Sequence, residues 1–151
     1  MWRIGLDWFN GITMAIAIIG AVLGILNTWF VIDQRRVRLR VRPAYAIARG
    51  GIGFSIQVTN LSAFPLTVTE VGFVLPGKKR AAITDPMFMD GKEWPRRLEA
   101  RESVTAYFDP TGLPKGKIKH IGKAYAQTAC GEAAYGSSPA LRQLREIGTS
   151  V

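Results

Sequence analysis

The chain has 151 residues, of which 48% are hydrophobic and 21% charged, and it carries a formal net charge of +9. That length allows one ordinary domain and excludes two substantial cores, while the apolar fraction excludes a wholly disordered chain. A single cysteine, Cys130, and a single histidine, His120, exclude an internal disulfide framework, a cysteine-based zinc site and the multi-histidine metal motifs.

Residues 1–10 form a short flank, and from Gly11 to Ile32 no residue is charged. As an α-helix that run reaches roughly 33 Å, enough to cross a hydrocarbon core of about 30 Å. Aromatic residues bracket it: Trp2 and Trp8 before, Trp29 after, where amphipathic rings settle at the headgroup levels as anchors. A buried core helix rarely runs so far without a charge, and a cleaved signal would need a net-positive leader and a small-residue cleavage site. Here Arg3 and Asp7 cancel, and the run ends in bulky Trp29-Phe30-Val31-Ile32, so the expectation is a retained transmembrane helix over 11–32. Arg35, Arg36, Arg38, Arg40 and Arg42 crowd its C-terminal side against Arg3 alone on the other. Such cations stay on the cytoplasmic face, which predicts a single-pass protein with residues 33–151 inside.

One face of this helix carries Thr13, Ala17, Gly20, Gly24 and Asn27 at a 4-3-4-3 spacing, with Gly20 and Gly24 forming a GxxxG. Small residues allow close backbone approach, so Ala17, Gly20, Gly24 and Asn27 form a candidate homo-oligomer interface.

Past the membrane the hydrophobic period becomes two. Residues 33–42 are expected to form a basic juxtamembrane strand, with Val37, Leu39 and Val41 on one face and Arg36, Arg38, Arg40 and Arg42 on the other. Pro43 is expected to interrupt it, although Tyr45 and Ile47 prolong the pattern, and Arg49-Gly50-Gly51 forms a turn. Phe54, Ile56 and Val58 then face inward. In the next strand, Leu66 to Leu75, the inward set changes parity from Leu66 and Val68 to Val71, Phe73 and Leu75, which predicts a β-bulge near Glu70. A short edge strand over 80–83 and an irregular connection over 84–95 follow, with Met87, Phe88, Met89 and Trp94 covering one end of the core. Further strands are expected at Ser103–Phe108, Ile118–Thr128 and Ala133–Tyr135, the last two joined by a turn at Cys130-Gly131-Glu132. Pro139 opens a short C-terminal helix docked by Leu141, Leu144 and Ile147 within residues 139–151. Six to eight short strands without long helices between them predict an antiparallel β-sandwich core over 43–138.

Phe54-x-Ile56-x-Val58-x-Asn60, then Phe64-Pro65-Leu66-x-Val68 and Val71-x-Phe73, is similar to the B–C region of immunoglobulin-like domains, as is Leu98-Glu99-x-x-Glu102 before an alternating strand. The whole layout resembles small bacterial and phage-encoded single-pass membrane proteins that carry such a domain. The likeness covers roughly residues 37–135 and lacks the paired cysteines of antibody domains. It implies an architecture and no catalytic site.

No catalytic constellation is legible. His120 lies among Lys117, Lys119 and Lys123, with no carboxylate partner in its segment, and Cys130 reads as a buried cysteine beside a turn. Gly77-Lys78-Lys79 lacks the remainder of a phosphate-binding loop, and Asp85, Asp90 and Glu93 lack calcium-loop spacing. The expectation is therefore a protein without enzymatic activity and without a cofactor or metal. Because Arg3 and Asp7 cancel, the entire +9 belongs to residues 33–151, with clusters at 35–42, Lys78-Lys79-Arg80, Arg96-Arg97 and Lys115-x-Lys117-x-Lys119. Anionic lipid headgroups are the leading partner for Arg35, Arg36, Arg38, Arg40 and Arg42. Nucleic-acid phosphates, met by a phage or virion membrane protein, are the alternative. A third reading gives the cations no ligand: they set topology and protect an edge strand. The sum is a structural or assembly module with an unidentified protein partner, in a bacterial inner membrane or a viral membrane.

Overall fold

The computed structural model describes residues 3–48, 51–109 and 118–147, arranged as two compact units that divide between Arg36 and Val37. The first unit is one helix, α1 (Arg3–Gln34). Its apolar portion, Phe9–Gln34, has a mean hydropathy of 2.3 and is long enough to cross a membrane. The helix overruns the expected 11–32 span at both ends, because the uncharged run marks only the part suited to hydrocarbon. Backbone hydrogen bonding continues through Asp7 and Asp33, since the i→i−4 ladder does not require apolar side chains. Arg35 and Arg36 close it, their backbone N–H groups donating to Ile32 and Asp33.

The second unit is a sandwich of two antiparallel sheets. One holds β1 (Leu39–Ala48), β2 (Gly51–Asn60) and β6 (Ser103–Phe108) in the order β1-β2-β6. The other holds β3 (Leu66–Val74), β4 (Arg80–Ala82), β5 (Arg96–Leu98), β7 (Lys123–Thr128) and β8 (Ala133–Gly136). Its order is β4-β3-β7-β8, with β5 also paired to β3. Strands β4 and β5 share one edge of β3, pairing Gly72–Val74 and Leu66–Val68 respectively, while β7 occupies the other edge. The first, second and sixth strands on one side and the third and seventh on the other give the strand division of an immunoglobulin-like sandwich. A short helix, α2 (Pro139–Ile147), buries Leu141 and Leu144 against the core.

The alternating pattern sets the core directly. Phe54, Ile56, Val58, Val104, Ala106 and Phe108 face inward from the first sheet, and Val68, Val71, Phe73, Ala124 and Ala126 from the second. Phe54, Phe73 and Phe108 meet at its centre with ring centroids 5.3–6.0 Å apart, each burial contributing about 1.5–3 kcal/mol. The parity change in β3 is a bulge: the register passes from Val68↔Thr128 to Glu70↔Gln127, leaving Thr69 over.

Three local expectations are corrected. The strand expected over 33–42 starts at Leu39 and runs through Pro43 to Ala48; as β1 lies at the end of its sheet order, the missing proline N–H breaks no ladder. Met87 and Met89 are 61% and 79% exposed, and only Phe88 and Trp94 cover the core, stacked on each other at 5.4 Å. Met87 instead exchanges backbone hydrogen bonds with Tyr107 on the edge of β6. Ile118 to Ile121 is a turn, closed by the Ile121 N–H on the Ile118 carbonyl, because two buried isoleucines three apart fit one helical turn better than an alternating strand. Strand β5 begins just past the connection expected over 84–95, in a stretch where the sequence pattern predicts no element. The Arg49-Gly50 part of the first turn, Lys115, Lys117 and the side chain of Ile147 lie outside the described residues.

Loops at one end of the sandwich are tied by Asn60, which is fully buried. Its Nδ2 donates to the carbonyls of Phe64 (2.8 Å), Glu99 (3.1 Å) and Leu98 (3.3 Å), and its Oδ1 accepts from the Ser62 N–H (2.9 Å).

Candidate functional site

The arginine surface is built by the register of β1. Arg40 stands opposite Thr59 and Arg42 opposite Gln57, and β2 passes these rows on to Ser103 and Thr105 of β6. Side chains two apart repeat at about 6.6 Å, so Arg38, Arg40 and Arg42 form an exposed cationic row beside a polar sheet face. The start of the row is clamped: the Arg38 N–H donates to Ser62 Oγ at 2.8 Å, and its carbonyl accepts from the Leu61 N–H at 2.7 Å. Arg36 does not belong to this row. It is exposed but sits in the bend after α1, and Arg35 lies in the preceding turn, so strand geometry aligns neither with Arg40.

At the end of the row a shallow concavity of about 440 Å³ is lined by Arg42, Ser55, Gln57, Thr105, Ser137 and Ser138, among others. One guanidinium among hydroxyls and an amide, with no described carboxylate, is chemistry that accepts an anionic oxygen cluster. The Ser138 hydroxyl is buried and has no hydrogen-bond partner among the described residues.

On the helix, Ala17, Gly20, Gly24 and Asn27 are all exposed, and nothing lies within 4 Å of where a Cβ on Gly20 or Gly24 would stand. Thr28 turns its hydroxyl back to the Gly24 carbonyl at 2.9 Å, which satisfies it without a partner helix. Trp29 is 64% exposed; Trp2 lies outside the described residues, as does the side chain of Trp8.

Sequence reasoning missed a second polar arrangement, on the outer face of the β4-β3-β7-β8 sheet. Arg80 of β4 reaches across β3 and donates to Gln127 Oε1 (2.6 Å) and to the Tyr135 hydroxyl (3.3 Å). On the way its guanidinium lies over the Tyr125 ring, 5.2 Å from the centroid. Tyr125 is consequently buried on an outward face, and its hydroxyl donates to Glu70. Burial first, then the carboxylate it serves, pushes that phenol far above its ordinary range. The only sequence signal was the alternation of Tyr125 with Ala124 and Ala126; its partners lie 45 to 55 residues away or close only through the fold.

His120 is exposed beside this sheet, and no described carboxylate lines the cleft it borders. Cys130 is exposed rather than buried, because the β7–β8 hairpin turn projects it outward. The Thr128 hydroxyl, 3.0 Å away, and then a backbone bond with Glu132 hold its thiol below the ordinary range. Among the described residues no group of three His, Cys, Asp or Glu side chains is placed to hold a metal ion.

These features define a class: a β-sandwich protein with one N-terminal helix able to cross a membrane. Comparison with protein-family models and with curated proteins returns no match, so the functional reading rests on the geometry.

Proposed function

We propose that the protein is a non-enzymatic, single-pass membrane module whose sandwich lies on the inner face, with the Arg38-Arg40-Arg42 row on anionic headgroups. The observation that carries this reading is the direct succession of an exposed apolar helix and an exposed cationic strand. Three residues lie between Gln34 and Arg38, a tether of at most about 14 Å, so an embedded helix keeps the row within reach of the bilayer surface. Each such cation gains about 1 kcal/mol near an acidic leaflet. The hydroxyl-lined concavity beside Arg42 supports headgroup phosphate as the contact. Nucleic acid is less well served, because the row adjoins threonine, serine and glutamine, and among the described residues the one aromatic on that sheet face, Tyr107, is half-buried. Loops of the sandwich would then receive a protein partner, and the Gly20–Gly24 face would pair copies of the helix.

The exposed, sole Cys130 reports orientation without any engineering. A membrane-impermeant maleimide should leave it unlabelled in intact cells and label it after lysis; labelling in intact cells overturns the inner-face assignment. The fragment 37–151 should co-sediment with phosphatidylglycerol vesicles, and R38E/R40E/R42E should weaken this at least about 100-fold, from three contacts of about 1 kcal/mol each. Equal binding to phosphatidylcholine, or retention by DNA alone, rejects the lipid reading. Dimers that survive G20L/G24L in detergent reject the helix face.

A further inference from the structure

The outer face of the second sheet carries a cleft of about 720 Å³, of a size that suits a small organic ligand. Its cations arrive from two separate stretches of the sequence. Arg80 and Lys123 are both in register with Val74, one on each side, and so stand two strand spacings, about 9.6 Å, apart on one face. Lys78 comes from the turn before β4; the imidazole of His120, from the turn before β7, also lines the cleft. None of the described lining residues is acidic, and Glu70, on the same sheet face, is engaged by Tyr125. Leu75, Pro76 and the half-exposed Tyr135 add apolar and aromatic lining beside the charges.

Two of these cations sit in constrained settings. Arg80 is fixed at both terminal guanidinium nitrogens and over a ring, so little side-chain freedom remains to be lost on binding. Lys78 is held at φ +59°, directly after Gly77 at φ +74°. Glycine and asparagine take that left-handed conformation readily and lysine does not, so a lysine lines the cleft here at a cost in backbone strain.

We propose that this cleft binds a phosphorylated organic anion, its phosphate on Lys78, Arg80 and Lys123 and its body against Leu75, Pro76 and Tyr135. Three convergent cations match the charge of a phosphate ester better than that of a single carboxylate, and an arginine fork is suited to phosphate oxygens. The site is on the sheet opposite the arginine row and stands independently of the headgroup reading. A soluble nucleotide and a phospholipid headgroup share this chemistry.

The test is calorimetric titration of the full chain in neutral detergent with ADP and, separately, with dioctanoyl phosphatidylglycerol. Binding of either probe, weakened about tenfold or more by K78N/K123M and unchanged by R40Q/R42Q, supports the site and tells which source supplies the phosphate. Asparagine at 78 keeps the left-handed turn, so K78N should melt no lower than the parent; should it fail to fold, K123M alone carries the comparison. Absence of binding by both probes, or binding indifferent to Lys78 and Lys123, overturns the proposal. Vesicle binding by the arginine row is read in a separate assay, so failure of one leaves the other intact.

Discussion

Replacing Asn60 with alanine should remove more stability than its small side-chain volume suggests. Asn60 is fully buried, and its amide serves three carbonyls and one backbone N–H. The Glu99 carbonyl keeps a second donor, the Glu102 N–H, so its loss is cushioned. The Phe64 carbonyl and the Ser62 N–H lose the contacts that Asn60 provides, and Ser62 is itself 2% exposed. A buried polar group left unsatisfied costs about 1–3 kcal/mol. Two such groups and a small cavity bring the expected loss to about 3–5 kcal/mol, a large share of the roughly 5–15 kcal/mol that holds a domain together. The melting temperature should fall by roughly 12–20 °C, at about 4 °C per kcal/mol.

Urea unfolding of residues 37–151 measures this directly, because Trp94 is the sole tryptophan in that segment and is stacked on Phe88. Asn60→Asp sharpens the test. It keeps an acceptor for Ser62 but turns a carboxylate toward the Phe64 and Glu99 carbonyls, so at neutral pH it should be worse than alanine. Acidification restores a donor, and Asn60→Asp should then overtake Asn60→Ala. A loss below about 1 kcal/mol for alanine, or wild-type stability for aspartate at neutral pH, refutes the reasoning.

Two further outcomes follow from the sandwich. A Cβ on Gly136 would stand 1.9 Å from the Val41 carbonyl oxygen, so Gly136→Ala must push β8 away from β1 and should cost about 1–3 kcal/mol; Gly122→Ala, whose Cβ meets only the Val74 oxygen at 3.5 Å, is the control that should not. Equal urea midpoints for the two variants would contradict this packing. Asp90 is held below its ordinary value of 3.8, chiefly by hydrogen bonds from Arg96, with partial burial opposing and the Lys92 N–H assisting. A depressed carboxylate contributes stability that is complete above its ordinary value and is lost as pH falls through the folded value. Asp90→Asn should therefore be less stable than the parent at pH 7, and the two urea midpoints should converge in acid below 3.8; a gap that persists there contradicts the assignment.

Much of the architecture was legible from one dimension because it rests on local periodicity. An uncharged run of membrane length shows a helix suited to hydrocarbon, though not where its hydrogen bonding stops. Strict alternation oriented β1, β2 and β6, and the parity change between Val68 and Val71 located the Thr69 bulge. Arg40 and Arg42 share a face for the same reason, since residues two apart on a strand must. Arg36 shows the limit: its spacing fitted the strand, but the helix cap claimed its backbone first.

What only the folded chain decided is which distant residues meet. Pro43 is admitted to a strand because β1 ends its sheet order, a fact no local pattern contains. Asn60 resembles any strand-end asparagine until the loops after Leu61 and Leu98 bring their carbonyls to it. Arg80 and Lys123 lie 43 positions apart and become neighbours because both pair with Val74. Periodicity is a property of successive residues, whereas sheet register and the pairing of buried polar groups are settled only when separate segments compete for the same partners.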